Sequence, residues 1–219
     1  MTGKKKPKKI ITDGWGVWVN SKGHSTKSFL DYADRQSLSM REEIVTIYDT
    51  HRNRSYTDPD YSYEDAIRDV CKELDIDADA FLEENSRHTT TELAPGAKES
   101  LQQLHEQGVE IYFLTDFDRP TSHVEGILED LGIRKYFAAV ISSKDVGHTK
   151  PSSETFAYVH DTYGLDQGNS VFLGHALDEL EGAHQLGFPT VAVFYEPDDP
   201  LDFVDRKLAA LEDLVFDSE

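Results

Sequence analysis

Cysteine is almost missing from this chain of 219 residues: the single one, Cys71, excludes an internal disulfide and any cysteine-based zinc cage, which agrees with a reducing compartment. Long apolar runs are missing too, so no segment reads as a membrane span and no membrane partner is expected. The opening MTGKKKPKK lacks the apolar segment of a secretory signal, and on these counts the expected location is the cytoplasm. Positive charge is scarce. Lys and Arg number 22 against 42 Asp and Glu, a formal charge of −20, and that balance excludes a protein that grips nucleic acid by general electrostatics, because phosphate binding draws on clustered cations. The basic head, residues 1–7, is the exception, and it reads as a solvated tail rather than a basic arm. Repeats and low-complexity linkers are absent. What remains, 38% apolar and 29% charged residues, suffices for one large domain or a domain with a smaller companion.

The apolar residues alternate between two periods. Ile10-Ile11-Thr12 is a short β-prone run that stops at Asp13, and Val109–Thr115 repeats the pattern, ending on a hydroxyl followed by Asp116. Between them, residues 20 to 90 read as helices. Ser39 with Glu42 forms a capping-box pattern, Ser62 precedes the run 63–74, and Asp77 precedes 78–84. In the middle run Tyr63, Ala66, Ile67, Val70, Cys71 and Leu74 share one face, which makes Cys71 a core residue. Beyond Pro95-Gly96 the pattern predicts helix 97–107 closed by Gly108, strand 109–115, helix 122–131, strand 138–142, helix 153–163, strand 171–173, helix 179–186 and strand 190–194. The acidic 198–205 stretch reads as a surface loop leading into a last helix. Apolar strands joined by amphipathic helices predict an α/β fold: a Rossmann-like parallel sheet with helices on both faces and an inserted α-helical cap. Residues 8–19 and 92–219 would form the core and 20–91 the cap.

In such sheets reactive groups collect at the carboxyl ends of strands. The residues there are Asp13, Thr115, Lys150 in Gly147-His148-Thr149-Lys150-Pro151, and Gly174 followed by Asp178 and Glu179. Each has an ordinary alternative: a turn acid, a strand-end hydroxyl, a surface lysine, acids at a helix N-terminus.

Taken in order, these segments resemble the haloacid dehalogenase-like superfamily over residues 8 to 195. D13-G-W-G-V17 matches the Asp-x-Asp-x-Thr/Val first motif except at its third place, I111-Y-F-L-T115 the second, Lys150-Pro151 the third, and V171-F-L-G-H-A-L-D-E-L-E-G-A183 the fourth. The resemblance implies that Asp13 is a nucleophile forming a covalent aspartyl intermediate, that Thr115 orients the anionic intermediate, and that Lys150 offsets negative charge. It also implies that Glu179 positions water or binds metal. A magnesium ion would be held by Asp13, the Trp15 carbonyl and an acid of the fourth motif; His175 stands at that acid's place, leaving Asp178 or Glu179 to compensate.

The departures narrow the chemistry. Trp15 replaces the family's general acid/base, and an indole N–H neither titrates usefully nor accepts a proton, a loss of about 100- to 10,000-fold for ordinary phosphomonoester hydrolysis. The family's dehalogenases resemble this chain in carrying an aromatic residue there, because halide leaves without a proton. Their arginine should come from the cap, and Arg35 and Arg41 are candidates by position; Asp116 stands where they have an asparagine that meets the substrate. Three readings follow: a dehalogenase-like hydrolase of a small molecule that needs no metal, a magnesium-dependent small-molecule phosphatase, and a binding or regulatory protein on a degenerate scaffold. His24, His51, His88 and His105 read as surface or structural. The oligomeric state has no signature in the sequence.

Overall fold

The computed structural model describes residues 9–22 and 26–214, so the basic tail and His24 lie outside the described residues, as does the side chain of His88. The chain opens with strand β1 (Lys9–Asp13), crosses a tight turn to β2 (Val19–Lys22), and enters four helices: α1 (Thr26–Arg35), α2 (Arg41–Thr57), α3 (Tyr63–Glu73) and α4 (Ala78–His88). Strand β3 (Thr90–Leu93) then pairs antiparallel with β2, Val19 opposite Leu93 and Lys22 opposite Thr90, so the chain leaves and rejoins the core through one ribbon. The proposed boundaries at 20 and 91 fall within it. There follow α5 (Ala97–Glu106), β4 (Glu110–Thr115), α6 (Thr121–Asp130), β5 (Ala139–Ser142), the single turn α7 (Ser143–Val146), α8 (Ser153–Tyr163), β6 (Ser170–Gly174), α9 (Leu177–Gln185), β7 (Thr190–Val193) and β8 (Arg206–Leu208).

Six strands form one sheet in the order β5-β4-β1-β6-β7-β8, every pairing parallel. The chain winds outward from β1 through β4 to β5, then crosses to β6 on the other side of β1, so the switch point lies at the end of β1. Successive strand residues face opposite ways, and the two faces are both dry. Ile10, Ile111, Phe113 and Leu173 pack with α5 and α6 on one side, while Ile11, Leu114, Phe172 and Ala192 pack with α8 and α9 on the other. The inserted helices have their own core of Phe29, Ile44, Tyr48, Ile67, Val70 and Phe81, with Cys71 buried among them. Among the described residues no helix is long and apolar enough to cross a membrane.

Ser62 and Asp65 close the capping box of α3, and Asp77 caps α4 through the amides of Asp79 and Ala80. Two expectations fail. The helix expected to be capped by Ser39 starts at Arg41, Met40 gives no side-chain cap, and Glu42 and Glu43 in the first turn offset the helix dipole instead. The last helix is instead strand β8, paired with β7, followed by a turn of 3₁₀ helix at Leu211–Asp213. Leu208, Leu211 and Leu214 recur at a helix-like interval, yet an edge strand and a short turn bury all three.

Candidate active site

The carboxyl ends of β1, β4 and β6 converge on a cleft of about 390 Å³ whose wall includes Asp13, Trp15, Thr115, Asp116, Lys150, His175 and Glu179. Its floor is Asp13, only 4% exposed. Oδ1 accepts from the Gly14 amide at 2.8 Å and from Lys150 Nζ at 2.9 Å. Oδ2 faces His175 Nδ1 at 3.0 Å, with the ring not aligned for a good hydrogen bond. Burial works to raise the Asp13 carboxyl, but Lys150 and then His175 outweigh it and hold the group below its ordinary value. Asp13 is thus a buried carboxylate kept ionised, the state a nucleophile requires.

Lys150 is the hub. Its side chain is 1% exposed and lies 3.4 Å from Glu179 Oε1 and 3.6 Å from Asp116 Oδ2, while its own amide donates to Asp116 Oδ1 at 3.1 Å. Burial opposes its charge, yet Asp116, Asp13 and Glu179 together push it well above the usual lysine value. One cation cannot neutralise three acids. Burial, against the pull of Lys150 and reinforced by Asp13 and Asp116, pushes Glu179 up to about 8, and burial likewise raises Asp116 despite Lys150. Glu179 Oε2 is buried without a hydrogen-bond partner in the cleft wall.

Trp15 turns its ring away from acid/base work. It stacks on Phe117, with ring centroids 4.6 Å apart and planes 20° from parallel, and meets the edge of Phe113. Glycine flanks it for reasons of space. A Cβ at Gly14 would lie 2.2 Å from the Phe113 ring, and Gly16, at φ +83°, would put one 2.3 Å from the His175 ring.

From the cap, α2 contributes Arg52, Asn53 and Tyr56 to the wall. Arg52 donates to Thr26 Oγ1 at 2.9 Å and lies over the rings of Tyr48 and Tyr56. The two arginines expected from sequence are elsewhere: Arg35 pairs with Glu84 and Arg41 with Asp34, all four on the surface. Tyr48, Arg52 and Tyr56 recur every four residues, a helical stripe that puts an arginine between two aromatic residues and was readable in the sequence. His51 is structural, bonded to the Tyr61 hydroxyl and to Glu73, each at 2.8 Å. His105 meets the edge of the Tyr136 ring.

The expected magnesium ligands are not arranged as an oxygen shell. Both Asp13 oxygens face nitrogen partners, Glu179 leans on Lys150, Asp178 is exposed at the rim, and a histidine occupies the place nearest Asp13. Among the described residues no group of three His, Cys, Asp or Glu side chains is gathered to hold an ion. The histidine is a poor ligand for a hard dication, so a magnesium ion would have to draw on the carboxylates of Asp13 and of Asp178 or Glu179.

Residues 13–193 match the profile of the haloacid dehalogenase-like hydrolases. The chain belongs to that family. Among curated relatives, the phosphoglycolate phosphatase of Salmonella typhimurium is 30% identical over 162 residues, covering 74% of this chain and 61% of that protein. The one from Escherichia coli O157:H7 is 28% identical over the same shares. The matched region thus spans about three-fifths of the length of these curated relatives. Solved structures share the fold: the L-2-haloacid dehalogenase of Xanthobacter autotrophicus superposes with a TM-score of 0.63 at 17% identity, covering 94% of this chain and 96% of that one. A predicted phosphoglycolate phosphatase from Haemophilus somnus gives 0.62 at 20% identity, covering 94% and 95%.

Proposed function

We propose that this haloacid dehalogenase-like hydrolase uses Asp13 to displace a leaving group that departs as an anion from a small anionic molecule, a 2-haloalkanoate being the class that fits best. The observation that carries the reading is the pairing of an ionised, buried Asp13 with an indole at position 15, which cannot protonate a leaving alkoxide. A carboxylate oxygen of Asp13 attacks C2 of the substrate, the carbon–halogen bond breaks, and its electron pair leaves with the halide. Water then adds to the carbonyl carbon of the Asp13 ester and the ester bond breaks; the protonated Glu179 gives its proton to the departing oxygen of the 2-hydroxy acid and regains one from the water, while the second water proton is released to solvent as Asp13 returns to carboxylate. Lys150 balances charge on the nucleophile, and Arg52 in the cleft wall supplies a cation for the substrate carboxylate. Thr115 lines the cleft and orients the tetrahedral anion. Asp116 is the awkward member for this reading, because a carboxylate there repels an anionic substrate; Lys150, 3.6 Å away, offsets part of that charge.

The test is halide release from 2-chloropropionate with and without chelator, beside Asp13→Asn. Release that persists in chelator, with an alkylated Asp13 peptide trapped by mass spectrometry, supports the proposal; release by Asp13→Asn at the wild-type rate sinks it. A second reading, a magnesium-dependent phosphatase, draws on the sequence relatives and on the Glu179 carboxyl, which at about 8 retains a proton in the cleft at neutral pH. Turnover of 2-phosphoglycolate that requires magnesium would favour it over the first.

A further inference from the structure

Lys144 stands apart from the reacting groups, in α7 at the end of β5, and it reaches towards the cap. Its Nζ donates to the carbonyl oxygens of Ser55 at 2.9 Å, Tyr61 at 2.8 Å and Asp58, so all three ammonium protons are used. The adjacent Ser143 hydroxyl donates to the Tyr56 carbonyl at 3.0 Å and accepts from the Phe117 amide at 3.1 Å. Ser55 and Tyr56 lie in the last turn of α2, where helix carbonyls have no partner along the helix and carry the negative end of its dipole. Arg52 lies one turn back and Tyr56 in the turn itself. Phe117, held by the same serine, is the ring on which Trp15 stacks.

We infer that Lys144, seconded by Ser143, is a positioning residue that fixes the end of α2 on the core and so holds Arg52 and Tyr56 over Asp13. The geometry separates this from ordinary surface pairing. A lysine that met one exposed carboxylate would add little, whereas three backbone carbonyls converging on one nitrogen fix both the height and the rotation of the helix end. The inference rests on reading the Asp13 cleft as the reacting site, and not on which substrate enters it.

The experiment compares the full chain with Lys144→Met, using Lys144→Gln if far-UV circular dichroism shows the first to be unfolded. The first readout is acrylamide quenching of tryptophan fluorescence. Trp15 lines the cleft and Trp18 is fully buried, so quenching reports the opening above Asp13. The variant is expected to raise the quenching constant about twofold as the cap end loosens. The second readout is kinetic, with 2-chloropropionate: KM rises about tenfold while kcat stays within about threefold, because substrate binding is lost and the covalent machinery is not. In an Arg52→Met background the KM effect should vanish, since Lys144 acts through Arg52. Alkylating Lys144→Cys with 2-bromoethylamine rebuilds the amine, and Cys71, the other cysteine, is buried; both readouts should return to wild type. Unchanged quenching in a folded variant, additive KM effects, or no recovery on aminoethylation would each overturn the inference. Should wild type turn over none of the substrates, that failure falls on the proposed reaction, and quenching with its rescue still decides the role of Lys144.

Discussion

Replacing Lys150 with methionine is expected to make stability strongly pH-dependent. The substitution keeps length and volume but leaves Asp13, Asp116 and Glu179, which lay 2.9, 3.6 and 3.4 Å from the ammonium, as a buried acidic triad. Removing one partner of a buried ion pair costs about 3–5 kcal/mol, and three dependants place this case at the upper end. In a protein of this size about 5 kcal/mol lowers the melting temperature by about 10–20 °C. The carboxyls escape part of the cost by taking up protons. Glu179 already sits at about 8 in the wild-type fold, above its ordinary value, so the folded state binds more protons than the unfolded chain between about 4.5 and 8, and this group favours folding less as pH rises through that window. Without the cation, Asp13 and Asp116 move the same way, each pH unit changing the cost by about 1.4 kcal/mol per proton taken up. Urea denaturation of both proteins at pH 5.5 and pH 8 measures this. The loss should be smaller at pH 5.5 by about 1.5–3 kcal/mol; a loss equal at the two pH values, or under about 1 kcal/mol at pH 8, would refute the reading of Lys150 as the compensating charge of a buried triad.

Arg52→Met should raise KM for 2-chloropropionate about tenfold or more with little change in melting temperature, read by steady-state kinetics and calorimetry; an unchanged KM would remove Arg52 from the substrate site. Trp15→Asp, which restores the family's acid, should lower halide release and break the stack on Phe117; assayed with alkyl phosphates in magnesium, it should gain turnover only if a metal then binds, read by isothermal titration with Mg²⁺ alone. Ser62→Ala opens the capping box of α3 and should cost about 1 kcal/mol in urea denaturation; a neutral effect would mean that the first turn of α3 is held by packing alone.

Much of this molecule was legible because its signals are local. Strands buried on both faces read as continuous apolar runs, and their ends mark where Asp13, Thr115 and Lys150 stand. Glu179 was singled out by its register after Gly174, and the fold sets it in the cleft wall. The errors came where tertiary context overrode local pattern: an edge strand claimed Leu208 from a helix-like spacing, and the start of α2 did without its serine. Arg52 was missed because the sequence does not say which turn of a cap helix will face the cleft, and two surface arginines stood nearer the first motif. Lys144 was invisible for a different reason. A lysine among polar neighbours reads as solvated, and only the fold brings three carbonyls from residues more than eighty positions earlier around its nitrogen.

The ribbon of β2 and β3 also bears on how the chain finds its fold. Thr12 must pair with Phe113 across about a hundred residues, a closure that makes for slow folding. The cap has its own core between those two points, and Val19 and Leu93 face each other at its base. A cap that collapses first shortens that span to little more than the ribbon and α5, so the central pairing of the sheet forms after the insert rather than before it. Trp18 stands where the span closes, its indole donating to Thr12 at 2.8 Å and its carbonyl accepting from the Ala94 amide at 2.9 Å. Stopped-flow refolding followed by tryptophan fluorescence, with far-UV dichroism for the helices, orders the two events; helix formation lagging behind the burial of Trp18 would reverse the sequence.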